Sequence, residues 1–201
     1  MKLVFASRNE GKLAEVRQCL VGSGWQVIDP ASIGLTLDVQ EDGKTMAENA
    51  ARKARAAVRT TGVLALADDS GLEVDALGGD PGVHSARYCG QGATDIDRYR
   101  AILHRMVEVP EEKRTARFRC VMCLAEPDGG EHFFEGVCEG RIAHHARGSS
   151  GFGYDPIFVP EGFSMTFAEL GLDTKNRISH RARALHQVIE FLRTYAQPHG
   201  R

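Results

Sequence analysis

No stretch of the chain is apolar for the roughly 20 residues that a membrane-spanning helix requires. Residues 1–6, MKLVFA, form a short strand-like run that passes into a polar loop, without the long apolar core of a secretory signal. Basic residues are not in excess: 25 Lys and Arg stand against 27 Asp and Glu, for a net charge of −2. That balance argues against a general nucleic-acid binder, which carries a basic face. It leaves room for a small anionic ligand held by a few local cations. The five cysteines are an odd number and come without an export signal, so reduced thiols in the cytoplasm are expected. There is no internal repeat, no linker and no low-complexity tract, and a single domain over 1–201 is expected.

What is present has the balance of an ordinary soluble protein, 42% apolar and 26% charged, on a chain long enough for a sizeable core. The sequence is organised around residues 63–87. Residues 63–67, VLALA, are a continuous apolar run that suits a strand buried on both faces. Asp68 and Asp69 follow directly, then Ser70 and Gly71. In an α/β sheet ligands sit beyond the carboxyl ends of strands. Two acids there repel each other, and a divalent cation with oxygen ligands offsets that repulsion. Asp-Ser-Gly is also good turn chemistry, but a doublet with a further acid upstream favours a metal site.

Taken in order, residues 2–6 read as a first strand, entering Ser7-Arg8-Asn9-Glu10-Gly11-Lys12 and then a helix over about 13–20. Strand, polar loop and helix together form a setting in which backbone N–H groups and the helix dipole hold a phosphate. Lys12 adds a point charge and Asn9 a neutral donor. This is not a Walker loop, and taken alone the segment reads slightly better as a plain strand-to-helix turn. Residues 25–28 read as a short strand and 38–43 as a polar loop carrying Glu41 and Asp42. Thr45-Met46-Ala47-Glu48 is a capping-box sequence that starts a helix running to about Thr60, with Gly62 past its end. On it Asn49 and Lys53 share one face, and Glu48 and Arg52 share another, the latter two as an intrahelical ion pair. Lys53 stands on the helix that leads directly into the strand carrying the acidic doublet.

Residues 78–82 form a tight turn delivering His84-Ser85-Ala86-Arg87, where Arg87 suits either a phosphate or a surface carboxylate. Thr94 caps a helix over about 95–107. Residues 116–125 and 132–137 read as strands joined by a hairpin turn at Pro127-Asp128-Gly129-Gly130, with 139–143 extending the pairing. On such a strand Cys120 and Cys123 face opposite ways and are core thiols, not a metal pair. By the same rule His144 and His145 are surface residues.

Residues 148–156, GSSGFGYDP, form the second informative stretch. Glycine permits close backbone approach, Phe152 offers a flat stacking face for a base, and Asp155 an acceptor. The same pattern also fits a surface loop with its aromatic tucked into the core. Residues 166–170 read as a short capped turn. Lys175, His180 and Arg181 then cluster at the start of a last helix ending near Ala196. Cations at a helix start oppose the dipole and point to an anionic or carbonyl-bearing partner.

In this order and spacing the motifs Ser7–Lys12, Glu41 with Glu48-Asn49-Ala50, Ala67-Asp68-Asp69-Ser70-Gly71-Leu72, residues 82–88, Phe152-Gly153-Tyr154-Asp155-Pro156, and Lys175 with Ser179-His180-Arg181 are together highly specific. The chain resembles the inosine/xanthosine triphosphate pyrophosphatase family, enzymes that clear deaminated purine nucleotides. The resemblance implies an α/β fold: an elongated mixed β-sheet flanked by helices, in two lobes with an active-site cleft between them. It implies a homodimer, Mg²⁺ dependence, and cleavage of a purine nucleoside triphosphate to monophosphate and pyrophosphate, with neither nucleic acid nor membrane as partner. Ser7, Arg8, Asn9, Glu10, Gly11 and Lys12 fall on the phosphate-binding stretch, with Lys53 and Ser70 as further substrate contacts. Glu41 and Asp69 fall on metal positions with Asp68 beside them, and Asp69 also on the general base. Phe152, Gly153, Tyr154, Asp155, Lys175, His180 and Arg181 fall on nucleotide and base contacts. One departure is Ser7-Arg8-Asn9, where the family often has Thr-Gly-Asn: Arg8 adds a cation and removes a flexible position.

The residues suit that chemistry independently. Breaking an α–β phosphate link needs an in-line water, a group to orient it, and cations on the departing pyrophosphate. A carboxylate beside a metal has its pKa lowered, so Asp69 would orient water more than fully deprotonate it. The rival readings are a nucleotide-binding regulator without catalysis, which would not require a base, and a nucleotide phosphatase releasing orthophosphate.

Overall fold

The structure is a computed structural model that describes residues 1–34 and 39–195. It is a mixed α/β fold. Six strands form one sheet in the order β2-β1-β3-β4-β5-β6: β1 Lys2–Phe5, β2 Gln26–Ile28, β3 Ala65–Val74, β4 Thr115–Ala125, β5 Glu131–Ile142 and β6 Phe158–Pro160. Among the described residues five α-helices accompany them: α1 Glu10–Cys19, α2 Met46–Thr61, α3 Asp95–Arg105, α4 Phe167–Ile178 and α5 His180–Tyr195. β1 pairs in parallel with β2 and β3, and β5 antiparallel with β6. β4 and β5 are antiparallel, since Gly130 O accepts from Glu126 N at one end and Arg114 O from Ile142 N at the other. The chain forms two compact units. The first comprises residues 1–69, 120–136 and those from 182 onward; the second comprises 70–119 and 137–181.

In the first unit the pleat sorts side chains onto two faces. Leu3, Phe5, Leu64, Leu66, Cys120, Met122 and Leu124 join α1 and α5 in one core. Their neighbours Val4, Ala6, Ala65, Ala67, Cys123 and Ala125 join α2 in the other. Cys120 and Cys123 thus lie in different cores, as their odd spacing predicts. On the α2 side both partners are small: Ala50, Ala51, Ala54 and Ala57 meet the alanines of the sheet. Small residues on both surfaces let helix and sheet approach closely. α2 begins as predicted, with the Thr45 hydroxyl accepting from Glu48 N, but the Glu48 carboxylate accepts from Lys44 N and not from the cap residue. The expected Glu48–Arg52 pair does not form; Arg52 reaches back to Asp42. An arginine has the length to leave its own helix when a loop carboxylate comes near.

The second unit has one core, in which Leu72 and Val74 of β3, Ala116 and Phe118 of β4, Ile142 and Phe158 meet α3 and α4. Buried Arg114 ties it together by donating to four main-chain oxygens, those of Met106, Val109, Ile142 and Ala143. Thr94 and Thr166 start α3 and α4 with full capping boxes, through Asp97 and Glu169. His144 and His145 are exposed, as predicted. Arg87 Nε donates to His84 Nδ1 at 3.2 Å.

Several boundaries differ from the sequence reading. α1 starts at Glu10, not Leu13, because the Asn9 side chain caps it by accepting from Lys12 N at 2.9 Å. β3 does not stop at Ala67 but continues to Val74, so the acidic doublet lies inside a strand and not at its end. β1 is the strand that ends there: its last pair with β3 is Phe5 with Leu66. The capped turn at 166–170 is the first part of α4, which bends at Gly171 and runs to Ile178. Lys175 therefore sits in a last helical turn, where the dipole favours a cation, and only His180 and Arg181 stand at a helix start. Asp38 and the predicted helix end at Ala196 lie outside the described residues.

Candidate active site

Two polar clusters gather most of the expected residues, one in each unit. The first begins with the alternation of β3. Asp68 follows Leu64 and Leu66 onto the α1 face, and Asp69 follows Ala65 and Ala67 onto the α2 face. Asp68 is fully buried and takes Lys12 Nζ at 3.1 Å on Oδ1 and 3.0 Å on Oδ2. The Cys120 thiol lies 3.9 Å from Asp68 Oδ2 and donates to it. Asp69 accepts from Asn49 Nδ2 at 2.9 Å, and its other oxygen lies 3.9 Å from Lys53 Nζ. The same ammonium is 3.0 Å from Glu41 Oε2.

Glu41 stands on a loop that α2 holds down. Gly43 N donates to Asn49 Oδ1 at 2.8 Å, and a Cβ at Gly43 would come within 2.6 Å of that oxygen, so the loop can lie this close only as glycine. Asn49 thus serves both the Glu41 loop and Asp69. The electrostatics follow from burial and charge. Burial pulls the Lys53 pKa down, but Asp68, Asp69 and Glu41 outweigh it and hold the ammonium charged, above its ordinary value. Burial pushes the Asp69 carboxyl up and Glu41 adds to that. Lys53, Asn49 and Lys12 oppose it without cancelling it, so the Asp69 carboxyl is raised from its ordinary value.

The second cluster is built on the 148–157 loop. Asp155 is buried, and its Oδ2 accepts from Phe152 N at 3.0 Å and from Lys175 Nζ at 2.5 Å. Lys175 Nζ lies 4.3 Å from the centre of the Phe152 ring, and Arg181 Cζ lies 5.8 Å from it. Arg181 is buried and donates to Ser70 Oγ at 3.1 Å. The His180 ring stacks on Phe118 at 4.7 Å with an interplanar angle of 12°. Gly153 N donates to Asp95 Oδ2 at 2.7 Å. The Tyr154 hydroxyl donates to Ser85 O at 3.0 Å, and burial drives its ionisation far up, so it stays a neutral donor.

The sequence-predicted residues therefore separate into groups with different partners. Lys12, Lys53, Glu41 and the two aspartates share the first cluster. Phe152, Gly153, Tyr154, Asp155, Lys175, His180, Arg181 and Ser70 share the second. The Asn9 side chain caps α1, Glu10 and Arg8 are exposed, Ser7 accepts from Asn9 N, and Gly11 lies within α1. Asp68 and Asp69 point to opposite faces. Among the described residues no three of His, Cys, Asp and Glu come together as a ready metal-ligand set. Sequence reasoning missed three contributors. Asn49 carried a signal, since it shares a helical face with Lys53. Gly43 carried only its identity. Phe118 carried none, because it reaches His180 from a distant strand.

A likeness to known proteins extends over nearly the whole chain. The Ham1 family model matches residues 3–191. A dITP/XTP pyrophosphatase of Desulforamulus reducens is 50% identical over 192 residues, 96% of each chain. One of Symbiobacterium thermophilum is 51% identical over 193 residues, 95% of this chain and 94% of the relative. Among solved structures, a HAM1 protein from Coxiella burnetii superposes with a TM-score of 0.87 at 42% identity, covering 98% of this chain and all of that one. With matches of this extent, the chain belongs to the Ham1 family, and its enzyme class is that of the nucleoside-triphosphate pyrophosphatases.

Proposed function

We propose that this chain hydrolyses deaminated purine nucleoside triphosphates (dITP, ITP and XTP) to the monophosphate and pyrophosphate, with Mg²⁺, as a cytoplasmic homodimer. The observation that carries the reading is the first cluster: a buried carboxylate, Asp69, held by Asn49 and flanked by two lysines and Glu41. The donor set suits the metal. One ammonium, that of Lys53, already lies within 4 Å of both Glu41 and Asp69, so a single cation can serve both carboxylates. Both offer hard oxygen ligands, and Mg²⁺ commonly takes one or two carboxylates and completes its shell with water and substrate phosphate. When bound, the ion would neutralise phosphate charge and polarise the attacked phosphorus.

The protein's own part is positional and electrostatic. Asp69 orients the attacking water and accepts its proton in the transition state; a bound cation beside it would draw its pKa down, so orientation is the larger part of its role. Lys53, held charged, and Lys12, fixed by Asp68, supply positive charge for the phosphates. The second cluster suits the base: Phe152 gives a stacking face, while His180, Arg181 and backbone N–H groups are donors that match a purine 6-carbonyl and not a 6-amino group. An ATP base would leave buried donors facing donors, at roughly 1–3 kcal/mol for each group left unpaired.

The test is product analysis with Mg²⁺ over XTP, ITP, dITP, ATP and GTP. Monophosphate with pyrophosphate is expected, fastest from the deaminated purines. Release of orthophosphate, or equal rates for ITP and ATP, would overturn the reading.

A further inference from the structure

Lys53 bridges the same two carboxylates that would hold Mg²⁺. Its Nζ is 3.0 Å from Glu41 Oε2 and 3.9 Å from Asp69 Oδ1. The other oxygen of Asp69, Oδ2, accepts from Asn49 Nδ2. Asn49 and Lys53 are one turn apart on α2, so one helical face delivers an amide to one oxygen of Asp69 and an ammonium toward the other. The ammonium keeps its charge there, because three carboxylates outweigh the burial that opposes it. The Lys53 side chain is 12% exposed and that of Glu41 39%, so the bridge is not sealed from water. Lysine carries a point charge on a flexible four-carbon stem. Lys53 can leave the two carboxylates by turning its side chain, with no change in the backbone that holds them.

We propose that Lys53 is the resident counter-ion of the Glu41–Asp69 pair and competes with the divalent cation for it, so that metal and nucleotide load together. The inference rests on the reading of Glu41 and Asp69 as the metal ligands. Both cations call on the same oxygens, and two like charges at contact distance repel. The protein without nucleotide therefore binds the metal weakly. A phosphate chain changes the balance. Its oxygens give the ammonium another partner, with charge-assisted hydrogen bonds in place of those to the carboxylates. Nucleotide thus favours metal and metal favours nucleotide, by the same factor. The ligand that suits this cluster is a divalent cation and a polyphosphate taken as one unit.

The test needs no turnover. Mn²⁺, which also takes oxygen ligands, is titrated into the full chain without nucleotide, and free Mn²⁺ is read by electron paramagnetic resonance. Lys53→Met should tighten Mn²⁺ binding by about tenfold or more, the scale of one close charge removed. Lys53→Arg keeps the charge and should bring no gain. Lys12→Met removes a cation that sits on Asp68 and not on the Glu41–Asp69 pair, and should bring a clearly smaller gain. No gain from Lys53→Met, or an equal gain from Lys12→Met, overturns the proposal. The place of the ion is read separately. Glu41→Gln should weaken Mn²⁺ binding in the Lys53→Met background. If it does not, the assignment of the metal ligands is wrong and the proposal falls with it; if it does while Lys53→Met brings no gain, the competition alone falls. Lys53→Met leaves buried Asp69 without its cation and endangers the fold, so a second measurement uses the parent chain. Acylation of each lysine by an N-hydroxysuccinimide ester is followed by mass spectrometry. Saturating Mg²⁺ should speed the labelling of Lys53 severalfold and leave that of Lys12 unchanged. Labelling of Lys53 that does not respond to Mg²⁺ overturns the proposal.

Discussion

Each unit contains a buried aspartate that grips a lysine, and the two pairs are built to opposite ends. In the first, Asp68 is fully buried but Lys12 keeps 16% of its side chain exposed, and two further acids, Asp69 and Glu41, share one more lysine. The cluster holds three carboxylates against two ammonium groups, so an added cation improves its balance. In the second, Asp155 and Lys175 are both almost wholly buried, and Arg181 lies beside the same aromatic ring. That cluster holds more cation than anion around an apolar face. The first arrangement leaves charge accessible to a charged ligand. The second spends its charge on internal order. The two pairs differ in the burial of the lysine, 16% exposed for Lys12 and 3% for Lys175.

The largest effect is expected from the residue that most sharpens this contrast. Asp69→Asn preserves the size and the acceptor that Asn49 uses, but removes the charge and the basic lone pairs. kcat/KM for XTP should fall by about 10³-fold, within the range for loss of a general base. Stability should not fall with it: burial already disfavours this charge, so the melting temperature should stay level or rise. Near-normal turnover in the folded variant would remove Asp69 from the chemistry.

Next come the lysines. Lys12→Met should lower kcat/KM by about 10²-fold, the cost of one charge-stabilising donor. Lys175→Met should act more on the fold, because it strands Asp155 almost wholly buried, at about 3–5 kcal/mol for a broken buried pair. Denaturant midpoints and kinetics on both variants test the division directly. A Lys175→Met protein that is as stable as the parent would erase the difference between the clusters. Base selection is a smaller effect: His180→Ala and Arg181→Ala should each narrow the preference for ITP over ATP by about tenfold, one unpaired donor's worth. If neither does, backbone groups carry the discrimination.

Much of this was readable in advance, and the failures are instructive. The caps at Thr45, Thr94 and Thr166 are local chemistry and stand where the sequence puts them. Most members of both clusters were nameable from their motifs, Phe118 being the exception. The split of the doublet was also open to prediction, since the alternation that separates Cys120 from Cys123 separates Asp68 from Asp69. Ending the strand at Ala67 hid it, because Asp-Ser-Gly resembles a turn until a neighbouring strand pairs with it. Lys175 was misplaced for a similar reason: Gly171 has the dihedrals of a break, φ 77° and ψ 172°, yet helical turns stand on both sides of it. The partners of Arg52 and His180 were beyond reach, because they depend on where distant segments pack.

The smallest effect tests the contrast through pH. Asp69, in the first unit, has its pKa raised by burial; Asp75, in the second, has its pKa lowered, first by the Thr115 hydroxyl that donates to it and then by Arg117. The two must contribute to stability with opposite sign. A carboxyl whose folded value lies below its unfolded value of about 4 stabilises above that value, and the contribution disappears as pH falls through the folded value. Asp75→Asn should therefore lie below the parent in melting temperature near pH 7 and converge on it near pH 3, with a gap of only a few tenths of a kcal/mol because the site is open to solvent. A carboxyl whose folded value lies above the unfolded one costs stability once it ionises, so Asp69 destabilises as pH rises through its folded value. With a chelator present to keep metal off the site, Asp69→Asn should match the parent near pH 3 and rise above it toward pH 7, the reverse trend. Melting curves of the three proteins across that range decide the point. Parallel trends for the two variants would mean that Asp69 is not held against its charge, and the excess of carboxylate in the first cluster would lose its physical basis.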